Sequence, residues 1–224
     1  MKKYKLTTET LQFAGRTLHR IKAVKDFDSI KAGEFGGWIE NEKNLSQDDN
    51  AWIYGDAMVF DNAEVYDNAK VYGNANVSGN ANVSGNAKVY GIANVFGNAN
   101  VFGYAEVYDN AKVYGNANVS GNAEVSGNAE VSDYAKVYGN AAIKGDAKVH
   151  DAVDYIVFKN FWSSGRYFTW TSSNNKWSVG CFYGTGEELI KKAYADSEKS
   201  GREYERVVRY VESILADEKK EKSN

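Results

Sequence analysis

The chain has 224 residues, 43 % hydrophobic and 25 % charged, with 21 glycines, no proline and one cysteine. That length fits one elongated domain or two small ones, and Cys181 alone permits no internal disulfide. With 27 basic against 30 acidic side chains the net charge is −3, so nucleic acid is not the expected partner, and His19 with His150 cannot build a three-histidine metal site within one chain.

The start, MKKYKLTTETLQF, is basic but has no apolar stretch of signal-peptide length. No run reaches the roughly 18 apolar residues of a membrane span, so a soluble cytoplasmic protein without a membrane partner is expected. Residues 1–50 read as strand-rich. LQFA, a Gly15-Arg16 turn and TLHRIKAV lead through Gly33, Gly36 and Gly37 into a repeat that fills the middle of the chain.

In that repeat alanine recurs every six residues from Ala51 to Ala147, giving seventeen hexads over 51–152, and each alanine is followed two places on by a valine or isoleucine. The spacing predicts a short strand with Ala and Val on its inner face. Gly-Asn or Asp-Asn then turns a corner. One such strand buries an Ala and a Val, about 2–4 kcal/mol, against roughly 6–12 kcal/mol of backbone entropy. A single hexad therefore cannot fold, and stability must come from stacked coils. The narrow Ala/Val interior favours three hexads per triangular coil, so the expected fold is mainly β: a parallel β-helix of about six coils.

Units such as VYGNAK resemble the hexapeptide-repeat family, which implies a left-handed β-helix. The segment GEFGGWIENEKNLSQDDNAWIYGDA is similar to that of prophage-associated members, usually labelled hypothetical proteins or transferases. The resemblance covers residues from about 17 to 152. An open solenoid exposes strand edges at both ends, so residues 1–50 are expected to cap one end and 153–224 to form a second module. In the latter, DYIVFKNFW, RYFTWTSS and KWSVGCFYG, separated by SSG and SSNN turns, predict a three-stranded antiparallel sheet. Two helices follow. Thr185 and Glu188 make a capping box for the first, with Leu189, Ile190, Ala193 and Tyr194 as its apolar stripe. Tyr204, Val207, Val208, Val211 and Leu215 mark the second, and the tail from Lys219 is expected to fray.

Candidate chemistry is sparse. Many enzymes of the resembled family are acyltransferases with a histidine general base between subunits, and His150, in the last hexad, is the candidate here. The hexads carry no inserted loop for an acyl donor, so an exposed junction histidine is the plainer reading. Cys181 lies in an alternating strand and reads as a buried structural cysteine. Gly184-Thr185-Gly186 is followed by Glu187 and Glu188, which repel phosphate, so it reads as a helix cap. No cofactor and no metal are expected.

With eighteen residues per coil, Tyr54, Tyr72, Tyr90 and Tyr108 form an outward ladder, with Trp52, Lys70 and Lys88 beside it, and Asn82, Asn100 and Asn118 form an amide row. The ladder either stabilises adjacent strands or is an apolar binding surface, with homo-oligomerisation, threefold by resemblance, as its first use. Arg166 beside Trp170 offers a second stacking surface. The first expectation is a non-catalytic phage or prophage binding or assembly module acting on a host protein or small ligand. The alternatives are an acyltransferase-like enzyme using His150, and a small-nucleotide sequestering protein using Arg166 or the Lys70/Lys88 face.

Overall fold

In the computed structural model, which describes residues 2–162 and 165–221, each hexad supplies one two-residue strand, β4 to β20, from Trp52–Ile53 to Lys148–Val149. Strands eighteen residues apart pair in parallel, as in Lys70↔Lys88↔Glu106 and Asn82↔Asn100↔Asn118. Three such sheets wind about six coils. The repeated alanines and valines are all 0 % exposed, and each coil donates backbone N–H groups to the next, as from Asn82 to the Ala99 carbonyl at 2.9 Å. Amide side chains add a second ladder at the corners. Asn62, Asn80, Asn98 and Asn116 are linked Nδ2 to Oδ1 at 3.0, 2.9 and 3.1 Å.

Parallel winding begins before the first alanine hexad. Strands β1 (Tyr4–Phe13) and β2 (Arg16–Ala23) form an antiparallel hairpin, and β3 (Phe35–Ile39) pairs antiparallel to β2 but parallel to Met58–Val59. Leu45 then bridges Val65 in parallel. The hairpin and the following loop fold back over the first coil, so Trp52, read from the sequence as an outward residue, is 1 % exposed beneath Tyr4 and Phe27.

That roof also buries Lys3, whose Nζ donates to the carbonyls of Asp49 (3.0 Å) and Ala51 (2.8 Å). Burial pushes the ammonium down to about 8, and burial pushes the neighbouring Tyr4 phenol up. Above about pH 8 the native state has released a proton that the unfolded chain keeps until its ordinary lysine value of ~10.4, so stability rises with pH in that window. Above roughly pH 10 the unfolded Tyr4 ionises while the native one does not, and stability falls. The urea midpoint is therefore expected to climb from pH 8 and decline beyond 10, with no climb in Lys3→Met; a wild-type profile flat over the first interval contradicts the assignment.

At the other end β21 (Tyr155–Lys159), β22 (Tyr167–Thr171), β23 (Lys176–Val179) and β24 (Phe182–Gly184) form a four-stranded antiparallel sheet rather than the expected three strands. KWSVGCFYG is a hairpin, not one strand, because Gly180 turns the chain at φ +58°. Cys181 consequently sits exposed in the turn, correcting the buried reading. Ser163 and Ser164 of the SSG turn lie outside the described residues. Hydroxyls of this sheet and of its β22–β23 turn take the place of a further coil: the Ala142 N–H donates to Thr169 Oγ1 (2.9 Å) and the Lys148 N–H to Ser173 Oγ (2.7 Å).

Helix α1 (Gly186–Asp196) begins with the Thr185/Glu188 capping box. Its Leu189, Ile190 and Ala193 pack with Tyr204, Val208 and Val211 of α2 (Glu198–Glu221) against the sheet, while Tyr194 stays outside. Helix α2 extends to Glu221; residues 222–224 of the tail expected to fray lie outside the described residues. Among the described residues no helix is long and apolar enough to cross a membrane.

Candidate functional site

Lys70 and Lys88 are held on one flat face of the solenoid by parallel pairing of their strands, and the tyrosine ladder rises beside them. Tyr72 and Tyr90 stack at 4.7 Å between ring centroids and Tyr90 and Tyr108 at 4.9 Å, both within 4° of parallel, while Tyr54 meets Tyr72 edge-on at 6.3 Å. All four are half-buried. Their ring faces cover one another, and their hydroxyls are partly engaged: Tyr90 donates to Glu106 at 2.9 Å and Tyr108 to Glu124 at 3.4 Å. Stacking of this kind ties consecutive coils together.

Beside the ladder lies a groove of about 530 Å³, lined by Asn50, Asn68 and Asn86 at one corner, by Lys70 and Lys88, and by Tyr104. Both lysines are already paired, Lys70 with Asp28 at 2.9 Å and Lys88 with Glu106 at 2.7 Å. The hydrogen bond each ammonium donates to its carboxylate partner raises the lysine above its ordinary value. Burial works against ionisation of Glu106, yet hydrogen bonds from Lys88 and Tyr90 hold it below the usual carboxylate range. The groove thus presents two cancelled ion pairs and a row of amides. Tyr104, 64 % exposed, supplies an aromatic ring at its edge. Sequence reasoning found the two lysines through their eighteen-residue spacing but missed Asp28, brought in by the N-terminal loop, and Tyr104, which replaces the corner asparagine of its coil.

His150 stands half-exposed at the last coil, with Nδ1 2.6 Å from Ser132 Oγ and 3.2 Å from Asp133 Oδ2. Ser132 is itself buried and 3.2 Å from the same Asp133 oxygen. The Arg166 and Trp170 pair is not brought together as one surface. Trp170 is 3 % exposed in the C-terminal core, its Nε1 donating to Asn175 Oδ1 at 2.9 Å. Arg166 is exposed, beside a cleft of only about 30 Å³ lined with Cys181 and Phe182, room for about one water.

The uninterrupted Ala-x-Val hexads and the coils they build define a parallel β-solenoid, and both fit the hexapeptide-repeat family. No family model matches the chain. A stretch of 62 residues is 39 % identical to the uncharacterized acetyltransferase YdcK of Escherichia coli (strain K12), covering 24 % of this chain and 19 % of that protein. The chain therefore spans about a fifth of the relative it matches.

Proposed function

We propose that the chain is a non-catalytic binding solenoid whose groove takes a neutral, polyhydroxylated small ligand, a short glycan being the fitting class. The observation that carries this reading is the pairing of Lys70 and Lys88 with Asp28 and Glu106 beside three amides one coil apart. An anion would have to displace a carboxylate from each lysine. A hydroxyl-rich ligand instead finds amide donors and acceptors repeating every ~4.8 Å, with the Tyr104 ring as an apolar platform. The same pairing argues against nucleotide sequestration.

A second reading, an acyltransferase, draws on His150 and on the partial similarity to a protein whose name says acetyltransferase. Asp133 and Ser132 hold Nδ1 and so orient the ring, as a general base requires. It ranks second because the seventeen hexads carry no inserted loop to hold an acyl donor.

One calorimetric panel separates the readings: short neutral oligosaccharides, nucleotides and acetyl-coenzyme A, each titrated into wild type and Tyr104→Ala. Saccharide binding weakened at least about tenfold by Tyr104→Ala is the expected result. Heat from acetyl-coenzyme A alone, with thioester turnover abolished in His150→Ala, favours the enzyme. No saccharide heat at any accessible concentration overturns the groove assignment.

A further inference from the structure

A second flat face of the solenoid, away from the groove lysines, carries a pattern that reads the same up and down the stack. Its strands begin with Glu64, Asn82, Asn100, Asn118 and Lys136, paired in register. Two residues further along each hexad stand Tyr66, Ser84, Phe102, Ser120 and Tyr138. The second row is a palindrome about Phe102. The first is charge-complementary about Asn100, acidic at one end and basic at the other.

Consider a second copy turned by half a revolution about an axis that lies along the strands at the height of Asn100. Position within the hexad is preserved and coil order is reversed. Glu64 of each copy then faces Lys136 of the other, Asn82 faces Asn118, Tyr66 faces Tyr138, and Asn100 and Phe102 face their own counterparts. A parallel arrangement instead sets equal heights side by side, Glu64 level with Glu64 and Lys136 level with Lys136. Only the antiparallel pairing matches both charges.

A second, independent observation singles out the same two residues. On the other two faces the charged strand residues are all spoken for within the chain: Lys70 by Asp28, Lys88 by Glu106, Glu124 by Lys144, and Lys112 and Lys148 by Glu130. Glu64 and Lys136 are exposed and, among the described residues, have no ion-pair partner. They sit four coils apart, about 19 Å at the usual strand spacing. Between them Phe102 is 42 % exposed, and Tyr138 at the basic end is 62 % exposed. A row of aromatics alternating with serines, flanked by two unmatched opposite charges, is a surface that lacks its other half.

We infer that this face is where two copies of the chain pack antiparallel, as a twofold dimer with an isologous interface. The face spans five coils, about 24 Å along the stack, and carries one aromatic row with two charge pairs, so the dimer is expected to be concentration-dependent. It does not rest on the ligand proposed for the groove, which occupies a different face. It also replaces the threefold assembly implied by resemblance and the use of the tyrosine ladder for self-association, since the ladder's rings already cover one another.

Sedimentation velocity from micromolar to near-millimolar concentration tests the arrangement. Wild type is expected to shift from monomer to dimer. Glu64→Lys and Lys136→Glu each oppose like charges at two symmetric places and are expected to weaken the dimer at least about tenfold. Mixing those two variants restores opposite charges at both places, so the mixture is expected to dimerise as wild type does, as is the double variant carrying both changes. Phe102→Ser weakens association with no such rescue. All three positions are on the surface, and unchanged circular dichroism checks the fold. A monomer at every concentration, a trimer, or a dimer indifferent to the two charge reversals overturns the inference.

Discussion

Trp52→Ala is expected to cost about 3–5 kcal/mol, the usual loss for deleting a buried aromatic side chain. Trp52 is 1 % exposed although it occupies an outward strand position, because the N-terminal segment lies over it. Tyr4 meets its ring edge-on at 6.1 Å and Phe27 at 5.3 Å, and the Lys3 ammonium sits 5.1 Å from the centre of the Phe27 ring. Removing the indole leaves a void under Tyr4 and Phe27. The damage is local in a solenoid, where each coil contacts its neighbours only. Limited proteolysis should therefore cut the first thirty or so residues of the variant well before the coils. By contrast Tyr90→Ser, in the half-buried ladder, is expected to cost about 0.5–1.5 kcal/mol. Equal losses for the two in chemical denaturation would mean that the roof adds nothing to the stability of the first coil.

What was legible in the sequence follows from the range of the interactions involved. Ala51 to Val149 declare their inward positions because the signal is strictly periodic, and the model of a narrow triangular coil follows from residue size alone. The tyrosine ladder is legible for the same reason. Its role is not, since whether rings stack on each other or await a partner depends on ring spacing and tilt, which the hexad pattern leaves open. The early coil through Ile39 and Leu45 was hidden because Gly37 takes the alanine place and two extra residues precede Ala51, so Ile39 pairs with Val59 twenty residues on. A β-carbon at Gly37 would lie 2.5 Å from the Ala57 carbonyl oxygen, which is why this site takes glycine. Burial of Trp52 and the arrival of Asp28 at Lys70 are contacts between the N-terminal segment and the coils, and no local pattern announces them. Cys181 did carry a signal: Gly180 interrupts an alternating strand, and a glycine there marks a turn.

The corners of the coils give the second large effect. Gly97 has φ +74°, and a β-carbon on it would lie 3.0 Å from both the amide nitrogen and the carbonyl oxygen of Gly115 in the next coil. A branched residue there pays twice, with about 1–3 kcal/mol of backbone strain and about 1–3 kcal/mol of overpacking. Gly97→Val is thus expected to lose about 2–6 kcal/mol in the middle of the stack. Yet the same corner position is filled by Asp61 and Asp133, at φ +61° and +56°, so a β-carbon alone is not forbidden. The difference lies in what the side chain does next. Asp61 Oδ2 accepts from the Gly79 N–H of the following coil at 3.0 Å, and at another corner Asp109 does the same for Gly127 at 3.2 Å. Aspartate tolerates the left-handed region better than most residues and links the two coils through its carboxylate. Gly97→Asp, able to accept from the Gly115 N–H, is therefore expected to cost about 1 kcal/mol or less, with Gly97→Ala between the two. Guanidinium denaturation of the three variants reads the order directly. If Asp proves as damaging as Val, the close approach of the coils at Gly97 governs this corner, and the carboxylate bond does not compensate for it.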